Sequence, residues 1–297
     1  MHDYTDQYYE RHTIHPNLGV SAYYGVDELG IPYETEYKNW ASDEDFANVA
    51  MDIMLNNNTS NNPFMLWMTS VSSHQPYSVS SITGDEYASL FANTGYSEEV
   101  IRYMSKLKIL DNALGILMSR LEAAGKLDDT VFVMFGDHYP YGLPLEEINE
   151  VLPYSLTDYE NERTPMAIYN SALTPTKFKQ YTSYINLTPT LANLFNLDYD
   201  PRLYMGEDIL SDNYESKVTF ADGSWKNSEV YYNATNSSLT YYTDNFYDNQ
   251  KIIDINNEIN AKMNMSSMII KNNYYYDLDM KLKAKEAERS ILAEREE

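Results

Sequence analysis

The chain has 297 residues, with 21 Lys and Arg against 45 Asp and Glu, a formal charge of −24. That charge repels phosphate backbones and argues against nucleic acid as a partner. Hydrophobic residues make up 43% and aromatic ones 14%, enough for a packed core, and the absence of cysteine excludes disulfides, thiolate metal sites and cysteine nucleophiles.

Residues 1–40 are rich in Tyr with scattered Gly and Pro, and read as mostly irregular chain packed on something else. A helix is expected next, with Ser42 as N-cap and Asp43, Glu44 and Asp45 complementing the positive end of the helix dipole. Phe46, Val49, Ala50, Ile53 and Met54 recur at helical spacing behind it, and the Asn-rich run 56–63 ends it. The unalternating apolar run 64–71 suits a strand buried on both faces, broken by Ser72-Ser73-His74-Gln75-Pro76-Tyr77.

A long helix follows the cap Ser97-Glu98-Glu99. Its apolar stripe reads Val100, Tyr103, Met104, Leu107, Leu110, Leu114, Leu117 and Leu121, with Gly125 closing it. Asp111 lies on that stripe, which implies a buried capping or hydrogen-bonding role. A second doubly buried strand is expected over 130–135, ended by Gly136-Asp137-His138. Strand, helix and strand make a βαβ unit with parallel strands and a right-handed crossover.

A short strand follows at 166–169 and a helix at 188–195. Residues 217–220 and 229–232 lean towards strand on either side of the turn Ala221-Asp222-Gly223-Ser224. Residues 248–271 read as helix, and 277–297 as a charged helical tail. No run reaches the ~18–20 apolar residues of a spanning helix, and the first twenty residues have neither the basic start nor the apolar centre of a signal peptide.

In open parallel sheets, ligands bind beyond the carboxyl ends of the strands. His74 leaves one expected strand end, and Asp137 with His138 leaves another, so all three converge on one edge. A carboxylate and an imidazole suit Zn²⁺ or Mn²⁺, although two ligands do not complete a shell. His2, His12 and His15 gather near Arg11, a mixture able to grip phosphate or sulfate. There is no G-x-S-x-G elbow, Gly-rich phosphate loop or H-E-x-x-H helix.

At Gly136-Asp137-His138, behind a long helix and the strand TVFVMF, the chain resembles the alkaline phosphatase/sulfatase superfamily. It is most similar there to the phosphoglycerol transferases of the lipoteichoic acid synthase type. The supporting motifs stand in the family's order. They are His2 with Tyr8-Tyr9-Glu10-Arg11 and Asn17-Leu18-Gly19, then Trp40-Ala41-Ser42-Asp43-Glu44-Asp45, then Ser73-His74-Gln75-Pro76-Tyr77. Leu187-Thr188-Pro189-Thr190-Leu191, Gly206-Glu207-Asp208-Ile209 and Asp222-Gly223-Ser224 follow. The match covers roughly residues 1–275.

The resemblance implies an α/β fold, a mostly parallel sheet sandwiched by helices, lacking its N-terminal strands, with a small C-terminal α+β segment. It implies a partial catalytic domain over 1–212, a β-hairpin and helix packed on it over 213–276, and the tail 277–297. Asp137 and His138 would be ligands of a divalent cation, Mn²⁺ in family terms, with Zn²⁺, Mg²⁺ or Ca²⁺ as alternatives. His2, Tyr9, Arg11 and His74 would contact a phosphoglycerol headgroup, His74 neutralising or protonating a substrate oxygen. Tyr4 stands where some members place a substrate-contacting Asp, and Asn186 replaces an Asp common before Leu-x-Pro-Thr.

The nucleophilic Thr, an acidic metal ligand and a membrane anchor are expected upstream of His2, placing the whole protein on the extracellular face of a bacterial membrane. By this reading the chain alone is inactive. A sulfatase, a phosphodiesterase or phosphatase of the same superfamily, or a non-catalytic binding remnant, are the alternatives.

Overall fold

The computed structural model describes residues 1–33, 40–58, 62–157 and 160–296. The chain forms two compact units, Met1–Pro175 and Thr176–Glu297. Unit 1 opens with extended residues, then α1 (Arg11–Asn17), α2 (Val26–Leu29), α3 (Asp43–Asn57), α4 (Ile82–Asp85) and α5 (Glu98–Ala123). Strand β1 (Phe132–Phe135), α6 (Leu145–Val151) and β2 (Met166–Tyr169) complete it.

The two long helices start where their acidic first turns predict. Ser97 caps α5 by accepting from the Val100 amide at 3.2 Å. At α3 the cap comes from outside: Ser42 holds the N-cap position without a capping bond, and Ser72 Oγ accepts from the Asp43 amide at 2.7 Å. Gly125, at φ +66°, takes the left-handed conformation that ends α5, and the Lys126 amide returns to the Leu121 carbonyl at 2.8 Å.

The packed face of α5 is turned by about one residue from the predicted stripe. Val100, Ser105, Lys106, Ile109, Ala113 and Leu121 are buried, whereas Leu107 and Leu110 are exposed. Ser105 and Lys106 take deep positions because each has a buried acceptor, the carbonyls of Thr83 and His74. Asp111 consequently lies outside, paired with Lys108 at 2.7 Å, which corrects the buried role read from the sequence.

The α/β assignment stands, but the parallel pairing expected inside it appears as a single bridge, His2 beside Thr69. Residues 62–68 are extended without a ladder, and Met65 is 85% exposed, so the doubly buried strand is corrected. A two-faced apolar strand needs neighbours on each side, and among the described residues Met1 and His2 alone bond to its backbone. The Met1 amine donates to the Trp67 carbonyl at 2.7 Å, and the Thr69 amide donates to the Met1 carbonyl at 3.1 Å. Strands β1 and β2 pair antiparallel, Phe132 opposite Tyr169 and Phe135 opposite Met166. The main core of unit 1 joins Val26, Leu29, Ile31, Trp40, Phe46 and Val71.

Unit 2 contains α7 (Leu187–Leu194), a four-stranded antiparallel meander, α8 (Asn249–Lys271) and α9 (Tyr274–Glu296). The meander runs β3 (Val218–Thr219), β4 (Trp225–Lys226), β5 (Val230–Asn233) and β6 (Ser238–Tyr241). The turn at 221–224 joins β3 to β4, a two-residue strand too short to read from sequence. Trp225, Val230 and Ile259 form the core here. Gly206 has no room for a side chain: a Cβ would fall 1.9 Å from the Ile185 carbonyl oxygen. Among the described residues, no helix is long and apolar enough to cross a membrane.

Candidate active site

Three imidazoles in unit 1 are held alike. His2 Nδ1 lies 2.8 Å from the Thr69 carbonyl, His74 Nδ1 2.9 Å from that of Gln75, and His138 Nδ1 2.8 Å from that of Tyr139. A carbonyl can only accept, so each Nδ1 carries a proton, and Nε2 is the ring nitrogen left for other partners.

The convergence expected from the strand ends is present for His74, Asp137 and His138. The His74 and His138 rings stand edge to face, centroids 5.7 Å apart. The Tyr141 hydroxyl reaches His74 Nε2 at 3.4 Å, and its ring lies 4.8 Å from that of His138. The bend follows directly after β1, where Gly136 and Pro140 break the strand. His2 joins electrostatically, since the Asp137 charge acts on both His2 and His74.

Burial disfavours the charged forms of His2 and His74. Desolvation brings His2 from 6.5 down to about 4, with the Arg11 guanidinium adding to the effect. Desolvation also lowers His74, and the charge of Lys106 reinforces it.

Arg11, at the start of α1, has a buried Nε without a hydrogen-bond partner, and no carboxylate among the described residues pairs with it. Its guanidinium lies 5.9 Å from the Tyr9 ring centroid. Tyr9 and Glu10 precede it at φ +57° and +52°, left-handed conformations that cost non-glycine residues roughly 1–2 kcal/mol each. That strained corner lifts the Tyr9 ring into solvent, 68% exposed, while turning Arg11 inward. His12 and His15 go elsewhere: His12 sits 3.8 Å from Glu10 and His15 stacks on Tyr23.

A chain of ring contacts connects the candidates. Tyr9 meets Tyr8 at 4.3 Å, Tyr8 meets Tyr4 at 5.6 Å, Tyr4 meets Trp40 at 5.3 Å, and Trp40 meets His74 at 5.0 Å. Tyr4 thus packs within this chain, and Trp40 Nε1 also donates to the Gln75 carbonyl at 2.8 Å.

Asp137 and His138 offer a donor set suited to a divalent cation. Asp137 Oδ1 and His138 Nε2 are 3.8 Å apart on accessible side chains, a hard oxygen and an imidazole nitrogen able to face one ion. They fit part of a shell: no group of three or more metal-ligating side chains occurs among the described residues.

The residues that sequence reasoning missed lie beneath this edge. Lys106 is fully buried and donates to the His74 carbonyl at 2.7 Å. Asp43 accepts through Oδ1 from the amides of Val71 and Ser72 at 3.1 and 3.2 Å. Asp3 is wholly buried beside Asp43. Asp43 and Lys106 carried one usable signal, a charge at a position that helical packing turns inward.

The sulfatase family model matches residues 1–197, and the chain belongs to that family. It is 24% identical over 254 residues to the lipoteichoic acid synthase of Staphylococcus saprophyticus, covering 81% of this chain and 38% of that protein. Lipoteichoic acid synthase 2 of Bacillus subtilis is 25% identical over 240 residues, covering 76% of this chain and 34% of that protein. The chain therefore spans little more than a third of these relatives. In fold it is similar to the lipoteichoic acid synthase LtaP from Listeria monocytogenes, with a TM-score of 0.71 and 22% identity over 91% of this chain and 68% of that one.

Proposed function

We propose that this chain carries the headgroup-binding edge, and part of the metal shell, of an envelope phosphoglycerol transferase. The observation that supports it most is the meeting of His74 and His138 edge to face at 5.7 Å, with the Asp137 carboxylate 3.8 Å from His138 Nε2. Asp137 and His138 would hold a divalent cation, Mn²⁺ by resemblance to the family. When bound, it would stabilise negative charge developing on phosphoryl oxygens.

The remaining residues divide the headgroup by chemistry. Arg11 binds the phosphate through N–H donors that nothing else in the described protein uses. His2 and His74, whose charged forms burial disfavours, accept hydrogen bonds from glycerol hydroxyls at Nε2. Tyr9 covers the ligand from the solvent side. Attack on phosphorus needs a nucleophile, and none of these residues supplies it.

Two titrations of the purified chain test the assignment. Mn²⁺ binding followed by electron paramagnetic resonance should be lost in Asp137→Ala and His138→Ala but kept in Arg11→Ala. Glycerol phosphate binding by calorimetry should weaken at least tenfold in Arg11→Ala and in His74→Ala. Equal affinity of all four variants for both probes would refute the reading.

A further inference from the structure

We propose that Lys106 is a positioning residue for the headgroup site, acting with Asp43 to clamp the backbone that carries His74. The proposal rests on the functional reading of His74 given above.

Burying an ammonium in a helix–helix interface is costly unless its donors are used. On α5 the cost is taken where leucines stand next to the position: Lys106 points inward while Leu107 remains outside. Its Nζ donates to the His74 carbonyl at 2.7 Å and lies 5.7 Å from the centroid of the Tyr77 ring, within the same loop. Burial pulls the ammonium down to about 8, against the Asp43 charge that favours its protonated form.

Asp43 holds the loop from the other side. Its Oδ1 takes the amides of Val71 and Ser72, and its own amide donates to Ser72 Oγ. Ser72 Oγ in turn donates to the Ala41 carbonyl at 3.0 Å. Between the two grips the His74 amide donates to the Val71 carbonyl at 2.9 Å, closing a turn. Lys106 therefore occupies the carbonyl of the one residue whose ring must sit between Trp40 and His138. Without it that carbonyl is an unpaired buried acceptor, and the turn can rotate to hydrate it.

The test compares Lys106→Met, which keeps length but removes donor and charge, with Lys106→Gln, which keeps an N–H donor. Glycerol phosphate affinity should fall at least tenfold in the first and recover to within about threefold of wild type in the second. Mn²⁺ affinity should stay unchanged in both, a split that general destabilisation would not produce. Amide resonances of residues 71–77 should move in Lys106→Met while those of 132–135 stay. In the wild-type chain, the buried Lys106 ammonium resonance should shift when glycerol phosphate saturates the site, which tests the coupling even if Lys106→Met does not fold.

Wild-type affinity in Lys106→Met, or resonances of 71–77 unmoved by it, would overturn the proposal. An unmoved Lys106 resonance at saturation would do the same. Failure of the wild-type chain to bind glycerol phosphate would instead count against the proposed function, and the amide shifts would still decide the role of Lys106.

Discussion

His2 and Asp3 are neighbours whose titrations oppose each other. Asp3 and Asp43 are both buried, and neither Asp3 oxygen, nor Asp43 Oδ2, has a donor in hydrogen-bonding geometry. Desolvation, then the Asp43 charge, raises Asp3 well above 3.8, so the folded chain retains a proton there that the unfolded chain releases. Stability is lost from this source as pH rises above 3.8. His2 does the reverse: held neutral down to about 4, it contributes stability that is lost as pH falls from 6.5 towards 4. Asp3→Asn replaces the retained proton with an amide donor towards Asp43. It should stabilise the chain by about 1–3 kcal/mol at neutral pH, with the gain shrinking as pH approaches 4. Urea denaturation from pH 4 to 8 reads this directly, and a loss of stability at neutral pH would show that Asp3 is ionised and satisfied. His74, Asp137 and His138 were legible because they follow expected strand ends, whereas the roles of His2, Tyr9 and Arg11 were legible only through the family resemblance. Asp3, Asp43 and Lys106 were not legible, because charge in a sequence reads as surface, and only tertiary contacts reveal a buried acceptor waiting for it.

The same reason explains the turned face of α5 at the level of elements. Existence and approximate length of α3, α5, α7 and α8 followed from periodicity, and the starts of α3 and α5 from their acidic first turns, which are local signals. Orientation is not local. The leucines define a stripe, but the hydroxyl of Ser105 and the ammonium of Lys106 find acceptors only when the helix rotates them inward. Ile109 then becomes the deep residue, fully buried, while Leu107 is 37% exposed. Ile109→Ala should therefore cost about 2–5 kcal/mol and Leu107→Ala under about 1.5 kcal/mol, measured by denaturant unfolding. The stripe written in the sequence demands the opposite order. Strand pairing was equally hidden: 64–71 has strand composition, yet its one bridge is to His2, more than sixty positions away. Composition does not name a partner.

For the whole molecule, the charge of −24 sets the conditions under which any anion reaches Arg11. The pairing is local and partly buried, whereas the repulsion is spread over a surface of carboxylates. Salt separates the two, because exposed charges are screened beyond a Debye length of about 8 Å at physiological ionic strength while a partly buried contact is screened less. Raising sodium chloride from about 10 to about 150 mM should then leave the affinity for glycerol phosphate unchanged or increase it, and should speed association. Calorimetry at the two salt concentrations measures the first, and stopped-flow fluorescence of Trp40, beside His74, the second. A steep fall in affinity with salt would mean that the bound anion meets a field of exposed cations, which a pocket built from one guanidinium and imidazoles does not provide.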